Sequence, residues 1–296
     1  MKEIGKILAY LGAVLLGGAL VAPWLWWGAQ SVMDAGYFVE FRRFGFQKYL
    51  NRGVLLCALA FLWPAVRWLR VGRLAELSLH RDPRPWRHGL LGLGLGMAAM
   101  GLLAGGYLWG GVWHVRGGWR WDALGQAAAS AVAVGFLEEC LFRGGIQGLF
   151  RRSLRPGPAL WASTLLFAGV HFIKPDPSAS VGTIRWSSGL ELLPHSFHQF
   201  AELPLLAGGM ATLTVFGLLL GWAKERTGAL WMSMGLHAGV VFVKLGFEKH
   251  CAPAAPRLPW WGAELQVGLC PVLLLLLTLL AVHRLTRPAS DPHALL

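Results

Sequence analysis

The feature that most constrains this chain is a series of long apolar segments without charged residues. The clearest are GLLGLGLGMAAMGLLAGGYLW (89–109) and CPVLLLLLTLLAV (270–282). Because an α-helix rises about 1.5 Å per residue, about 20 apolar residues cross the roughly 30 Å hydrocarbon core of a bilayer. Windows of that length predict eight membrane-spanning helices. The predicted ranges are 7–28, 53–70, 89–109, 123–148, 158–177, 203–223, 228–247 and 263–283.

The composition supports a membrane protein and excludes an ordinary soluble domain. Of the 296 residues, 55% are apolar and only 14% are charged, and the mean hydropathy is +0.50; soluble domains are less apolar and more highly charged. The four cysteines form no C-x-x-C pair, so neither a disulfide framework nor a zinc ribbon is indicated. The sequence therefore predicts an all-α, polytopic membrane helix bundle of about eight helices, with residues 1–296 forming one integral membrane domain.

The distribution of Lys and Arg predicts the orientation of the chain. With the N-terminus inside, more than half of the 27 Lys and Arg residues fall in cytoplasmic segments, which by the positive-inside rule puts both termini in the cytoplasm. The first span follows MKEIGK and lacks a small-x-small cleavage site, so we expect a retained anchor in the cell inner membrane. Anionic lipid at the inner face accounts for the net charge of +12, and no nucleic-acid partner is expected.

The stretch FLEECLFRG (136–144) places charges within an apolar helix. A charge near the bilayer centre costs about 2.5 to 3.5 kcal/mol on insertion scales, so persistent charges usually face the bundle interior and have a function. Glu139 and Arg143 stand at i, i+4 in the favourable order for pairing. Glu138 is turned away from them and is predicted to accept protons. The alternative is that this stretch is the cytoplasmic end of the span, where the charges meet water.

Two further spans each carry a histidine within apolar sequence. His171 ends LLFAGVH in the fifth span, and His237 lies in MSMGLHAGVV in the seventh. A lone histidine is more often a core residue, but three helices that each carry one titratable group can gather them around a central polar cavity. A Glu and two His support activation of water and stabilisation of an oxyanion. His195 and His198 lie at i, i+3 spacing in the long loop 174–202, which is long enough to form a lid or a substrate platform. This pair could bind a metal, but the two residues are interpreted as interfacial histidines.

These motifs, taken in order, resemble the CAAX protease and bacteriocin-processing family, also called the Abi family. The resemblance covers roughly residues 120–250, and the remaining helices match only in hydrophobicity. It implies an intramembrane endopeptidase related to the type II CAAX prenyl endopeptidase, with eight helices and a cavity open to lipid or to the membrane surface. The matching motifs are E-E-x-x-x-R (Glu138, Glu139, Arg143), F-x-x-x-H (Phe167, His171) and a histidine (His237) after the T-G-x-L-W turn at 227–231.

The resemblance also implies roles for these residues. Glu138 with His171 would activate the attacking water, while the i, i+4 spacing itself predicts that Arg143 neutralises and orients Glu139. His237 would help to stabilise the oxyanion, together with an Asn or Asp four residues on. Here that position is Val241, which cannot donate a hydrogen bond, so the second donor must come from elsewhere or be dispensed with.

Metal dependence is left open by the residues alone. Glu138, His171 and His237 could hold a zinc ion with one open position. A metal-free mechanism is favoured because Arg143 already accounts for Glu139, and no other cofactor is expected. The chain contains no H-E-x-x-H, G-x-G-D or G-x-S-G signature of other intramembrane proteases.

Three functions fit this sequence. The first is hydrolysis of a peptide or of a membrane-anchored protein by glutamate-activated water. The second is a non-catalytic bacteriocin-immunity or scaffold protein in which the same groups form a structural polar core. The third is a proton-coupled transporter, which is disfavoured because no inverted repeat is evident. Compatible substrates of the first function include bacteriocin leaders, pheromone peptides and C-terminal membrane-sorting tails.

Overall fold

The fold is almost entirely helical. The computed structural model describes residues 2–68, 82 and 84–286. Two short strands, β1 (Trp113–Val115) and β2 (Cys251–Pro253), form one antiparallel pair. The α-helices are α1 (Lys2–Asp34), α2 (Phe46–Trp68), α3 (Pro85–Trp109), α4 (Trp121–Glu139), α5 (Gln147–Arg151), α6 (Pro156–Val170), α7 (Ser188–Leu192), α8 (Leu203–Thr227), α9 (Trp231–His250) and α10 (Leu269–Leu285).

The apolar segments predicted to cross the membrane are helical, since each of the eight predicted ranges overlaps a helix. Four helices of the described chain are long and apolar enough to span a bilayer: Gly5–Asp34, Pro85–Trp109, Trp121–Arg151 and Leu203–Thr227. Leu269–Leu285 is apolar but shorter. The all-α prediction is confirmed, and the crossing of the membrane by eight helices stays a prediction. Residues 69–81, which include part of the predicted basic segment 71–88, lie outside the described residues.

The fifth predicted span was wrong at its C-terminal end. The prediction was 158–177, whereas α6 ends at Val170. A continuing helix would place the ring of Pro175 against the carbonyl of His171, and the chain instead closes with tighter bonds from Phe172 N–H to the Gly169 carbonyl and from Ile173 N–H to the Val170 carbonyl. His171 therefore follows the helix and is not at its middle. The last span was also predicted six residues too long at its start, because α10 begins at Leu269.

The chain divides into two compact units. The first consists of Met1–Val71 and Gly169–Leu206. In it α1 and α2 approach closely at Gly18, where a Cβ would lie 2.5 Å from the Cα of Val54. The core of this unit consists of Ala19, Ala22, Phe46, Leu50 and Leu192.

The long loop of the first unit contains short helical segments. Besides α7, residues Leu193–Ala201 form a 3₁₀ helix, and Nδ1 of His198 lies 3.1 Å from the carbonyl oxygen of His195. Before these helices, the hydroxyl and the backbone N–H of Ser178 donate to Asp176 and lower the pKa of that carboxyl. A lid function for this loop stays a prediction.

The second unit consists of Gly72–Ala168 and Ala207–Leu296, and a tight contact between α3 and α9 positions its central helix. A Cβ on Gly92 would overlap the carbonyl of Met232, and one on Gly96 would overlap the carbonyl of Leu236. Because the two backbones meet at glycines, as small residues allow in membrane helices, α9 is fixed in depth and rotation. His237 follows Leu236 directly, so this contact also places the imidazole.

Candidate active site

A π-helical turn carries the charged motif. After Glu139 the helix widens over Cys140–Ile146 before α5 begins. The backbone N–H of Gln147 donates to the carbonyl of Phe142, five residues back, whereas an α-helix would direct it to Arg143, four residues back. Turns of this kind are rare and often occur at functional sites.

Glu139 and Arg143 form the predicted ion pair inside the protein. Nη1 of Arg143 lies 3.4 Å from Oε1 of Glu139, and both side chains are almost completely buried. The alternative that this motif meets water at a helix end is therefore wrong for these two residues. A buried ion pair needs further hydrogen bonds to offset its desolvation.

Arg143 obtains additional contacts from two neighbouring helices. Its Nη2 donates to the carbonyl of Gly217 in α8 at 3.2 Å, and its Cζ lies 4.2 Å from the ring centroid of Phe167 in α6. Gly217 is suited to this place because a Cβ there would lie 2.9 Å from Thr164 and 3.4 Å from Arg143. The phenylalanine of the F-x-x-x-H motif thus acts as a platform for the guanidinium, through a cation–π contact.

His237 lies between the two adjacent glutamates. Its Nδ1 is 2.9 Å from Oε1 of Glu139, and its Nε2 is 3.8 Å from Oε2 of Glu138. A carboxylate on Nδ1 fixes the tautomer and the ring orientation of a histidine, so Nε2 is the nitrogen directed toward Glu138. The ring is also held edge-on by Phe216 and Phe167, at centroid distances of 5.2 and 6.0 Å.

The two glutamates have different surroundings. The side chain of Glu139 is fully buried, whereas that of Glu138 is 31% exposed. The sequence predicted a separation of their tasks from helix geometry, with Glu139 paired to Arg143. It did not predict the contact between Glu139 and His237, because a residue spacing within one helix contains no information about the partner helix.

Four of the five predicted site residues come together in the second unit. These are Glu138, Glu139, Arg143 and His237. His171 belongs to the other unit, two residues beyond its start at Gly169, and its role stays a prediction.

Sequence reasoning missed a second polar layer next to the site. The sixth predicted span ended at residue 223, just before Lys224, but α8 continues to Thr227 and buries this lysine. Its Nζ donates to the carbonyl of Arg143 at 2.6 Å. In the same layer, Oε1 of Glu225 accepts hydrogen bonds from Gln147 at 2.9 Å and from Arg151 at 2.7 Å. The sequence signal for this layer is the charged run K-E-R at 224–226, which directly follows an apolar segment. Only four residues, 227–230, separate this run from α9.

The residues predicted for a zinc alternative are Glu138, His171 and His237. Within the part of the chain that the structure describes, no group of three or more His, Cys, Asp or Glu side chains is placed to hold a metal ion. Metal dependence stays a matter for experiment.

The fold and this cluster define a class: a multi-pass helical membrane protein with a buried carboxylate, imidazole and guanidinium network. Residues 119–243 match the family model described as type II CAAX prenyl endopeptidase Rce1-like. This match supports the resemblance to the CAAX protease and bacteriocin-processing family that the motifs at 120–250 predicted. The match supports, at the level of that family, a membrane peptidase that acts on a peptide or protein. No curated protein and no solved structure matches the chain.

Proposed function

We propose that this protein is an intramembrane endopeptidase in which Glu138 activates water for attack on a peptide bond. The observation that carries the proposal is the different environment of two adjacent carboxylates. Glu139 is enclosed by Arg143 and His237, whereas Glu138 is partly exposed and lies near the far nitrogen of His237. A base must reach both water and substrate, which favours Glu138 over Glu139.

Glu139 and Arg143 have orienting roles in this proposal. The carboxylate of Glu139 holds Nδ1–H of His237, so that Nε2 is directed to the side where Glu138 lies. Arg143 neutralises Glu139 and is itself fixed by Gly217 and Phe167. The imidazole therefore needs little reorganisation when charge develops in the transition state.

His237 is proposed to stabilise the oxyanion. With Nδ1–H held by Glu139, donation from Nε2 requires a second ring proton. The resulting imidazolium can donate Nε2–H to the oxygen that becomes negative as water attacks the carbonyl. Val241 provides no second donor, since its side chain is a hydrocarbon. The resemblance to the family adds His171 to the activation of water, and we retain that role as a prediction to be tested with His171→Ala.

The proposed mechanism uses no metal. His237 already directs Nδ1 to Glu139 at 2.9 Å, and Arg143 supplies the positive charge next to that carboxylate. The cluster therefore contains a base, an oriented imidazole and a fixed cation without an added ion. Zinc held by Glu138, His171 and His237 is the alternative.

The membrane arrangement is also part of the proposal. Eight helices would cross the inner membrane with both termini in the cytoplasm, residues 1–296 would act as one integral membrane domain, and residues 120–250 would contain the catalytic core around a polar cavity. The four long apolar helices and the family match support a multi-pass protein. Reporter fusions at the two termini would test the orientation, and fluorescence from both reporters on the outer face would contradict it.

The experiment that tests proteolysis compares membrane-protein fragments from cells that express the wild type or Glu138→Ala. We expect a defined set of new termini in the wild type that disappears in Glu138→Ala, while the variant remains folded and membrane-inserted. Glu248→Ala is a matched control, because Glu248 is a partly exposed glutamate paired with Lys244 in α9. Fragments that persist in Glu138→Ala, or their absence from the wild type, would contradict the proposal.

A further inference from the structure

A buried lysine lies directly behind the site. Lys224 is 8% exposed, and its Nζ donates to the backbone carbonyl of Arg143 at 2.6 Å. Burying an ammonium group is costly unless it is hydrogen-bonded. The proposed chemistry assigns no task to this group, so its place in the protein needs another explanation.

The π-helical turn changes the hydrogen bond that this carbonyl would accept in an α-helix. In an α-helix the carbonyl of Arg143 would accept the N–H of Gln147. Here that N–H donates to Phe142 instead, which releases the Arg143 carbonyl from the regular pattern. A buried carbonyl without a donor would cost about 1–3 kcal/mol. The ammonium of Lys224 supplies the donor from α8.

The released carbonyl and the guanidinium belong to the same residue. Lys224 binds the backbone carbonyl of Arg143. Glu139 and the carbonyl of Gly217 bind the guanidinium of the same arginine. Gly217 and Lys224 lie two turns apart on α8. This one helix therefore contacts both the side chain and the backbone of Arg143. Any change in the register of the turn would move the guanidinium relative to Glu139, and through Glu139 the imidazole of His237.

The surrounding charges fit a lysine that binds a carbonyl. Lys224 lies near the cations Arg143 and Arg151 and the carboxylates Glu225 and Glu139. Glu225 already accepts from Gln147 and Arg151, and Glu139 is bound by Arg143 and His237. The hydrogen bond of Lys224 is directed to the backbone of the π-helical turn and not to either of these two carboxylates.

We propose that Lys224 is a positioning residue that stabilises the π-helical turn through the carbonyl of Arg143 and thereby sets the contact between Glu139 and His237. This inference rests on the proposed function for its effect on catalysis, but its effect on the geometry is independent of proteolysis. Lys224 does not contact the substrate. It acts through Arg143.

The test uses Lys224→Met, which keeps an unbranched side chain of similar helix propensity, one atom shorter, and removes the donor. Lys244→Met is the matched control, because Lys244 lies on the helix of His237 and pairs with Glu248 at its partly exposed surface. The first measurement is the ¹⁵N spectrum of the full-length protein labelled at histidine, in micelles, with the His237 signal assigned through His237→Gln. We expect Lys224→Met to shift the Nδ1 signal of His237 and to speed exchange of its proton, and Lys244→Met to change neither.

The second measurement is cleavage of a fluorogenic peptide with a sequence found through Glu138-dependent fragments. We expect Lys224→Met to lower kcat by about 10- to 100-fold, because a small misplacement of catalytic groups by a distant change can cost about that much, with KM changed less than about threefold. A purely structural role would leave the kcat of the folded fraction unchanged. An unchanged His237 spectrum in a folded Lys224→Met protein would overturn the inference, whether or not proteolysis is found.

A shifted spectrum with no cleavage by the wild type would instead contradict the proposed function and leave the positioning role supported. If Lys224→Met does not fold, Lys224→Gln takes its place, because it keeps an N–H donor on a chain shorter by one atom. We expect Lys224→Gln to shift the His237 signal in the same direction as Lys224→Met, by a smaller amount. A Lys224→Gln spectrum identical to that of the wild type would overturn the inference that the ammonium of Lys224 sets the contact between Glu139 and His237.

Discussion

Nδ1 of His237 lies 2.9 Å from Oε1 of Glu139, and the same oxygen lies 3.4 Å from Nη1 of Arg143. One buried carboxylate oxygen thus connects an imidazole on α9 with a guanidinium on the π-helical turn. This arrangement fixes the ring of His237 before any substrate binds. It also means that the two adjacent glutamates should respond differently to substitution.

Glu139→Gln is expected to destabilise the protein, whereas Glu138→Gln is not. The first change leaves the buried charge of Arg143 without its counterion, and breaking a buried ion pair from one side costs about 3–5 kcal/mol. The side chain of Glu138 is 31% exposed, so its change should alter the free energy of unfolding by less than about 1 kcal/mol. Denaturant unfolding of both variants in mixed micelles measures the difference. Equal destabilisation would contradict the separate roles of the two carboxylates.

Arg143→Lys should impair both stability and cleavage although it keeps the charge. The guanidinium pairs with Glu139, donates to the Gly217 carbonyl at 3.2 Å and lies over Phe167 at 4.2 Å, and an ammonium cannot make these contacts together. We expect a loss of about 1–3 kcal/mol in unfolding free energy and a lower kcat. Arg120→Lys is the control, because Arg120 forms an exposed pair with Asp122 that contributes less than about 1 kcal/mol. If Arg143→Lys lost no more stability and activity than Arg120→Lys, the contacts of the planar guanidinium with Gly217 and Phe167 would not contribute to the site.

The sequence predicted those parts of the site that depend on a single helix. The i, i+4 spacing of Glu139 and Arg143 was sufficient to predict their pairing, and the apolar windows were sufficient to predict helices. The position of His171 was predicted wrongly because the hydrophobic window continued through 171–177, where Pro175 prevents a regular helix.

Contacts between different helices could not be predicted from residue spacing within one helix. The bond from Lys224 to Arg143 depends on a π-helical turn that shifts one hydrogen bond by a residue, and the sequence contains no periodicity that distinguishes such a turn from an α-helix. The contact between Glu139 and His237 depends on the packing of α4 against α9, where a Cβ on Gly135 would lie 3.0 Å from the carbonyl of Met234. Both are properties of the packed bundle.

Gly96→Ala should displace the catalytic imidazole from a distance. A Cβ on Gly96 would overlap the carbonyl of Leu236, the residue before His237, and backbone cannot move aside as a flexible side chain can. We expect overpacking to cost about 1–3 kcal/mol and cleavage to fall. Gly94→Ala is the control on the same helix, since a Cβ there meets nothing within 4 Å. Comparable losses in both variants would indicate a general effect on α3 and not the contact with α9.

Removal of metal should leave cleavage unchanged. Glu138, Glu139, Arg143 and His237 already provide a base, an oriented imidazole and a fixed cation, so the proposed chemistry requires no ion. The measurement is cleavage of the fluorogenic peptide after dialysis against 1,10-phenanthroline, and again after zinc is restored. Activity lost with the chelator and recovered with zinc would support the alternative ligand set of Glu138, His171 and His237.

The contact between Glu139 and His237 can be measured directly by a double-mutant cycle. Each single change, Glu139→Gln and His237→Gln, removes one partner of the 2.9 Å contact, and residues in direct contact show coupling of about 0.5–3 kcal/mol. We expect the double variant to be less destabilised than the sum of the two, because the second change finds the bond already broken. His250→Gln in place of His237→Gln is the control, since Nδ1 of His250 binds the Gly246 carbonyl instead. Additivity within about 0.5 kcal/mol for Glu139 and His237 would show that the two side chains do not interact. The orientation of Nε2 toward Glu138 could then not be attributed to Glu139.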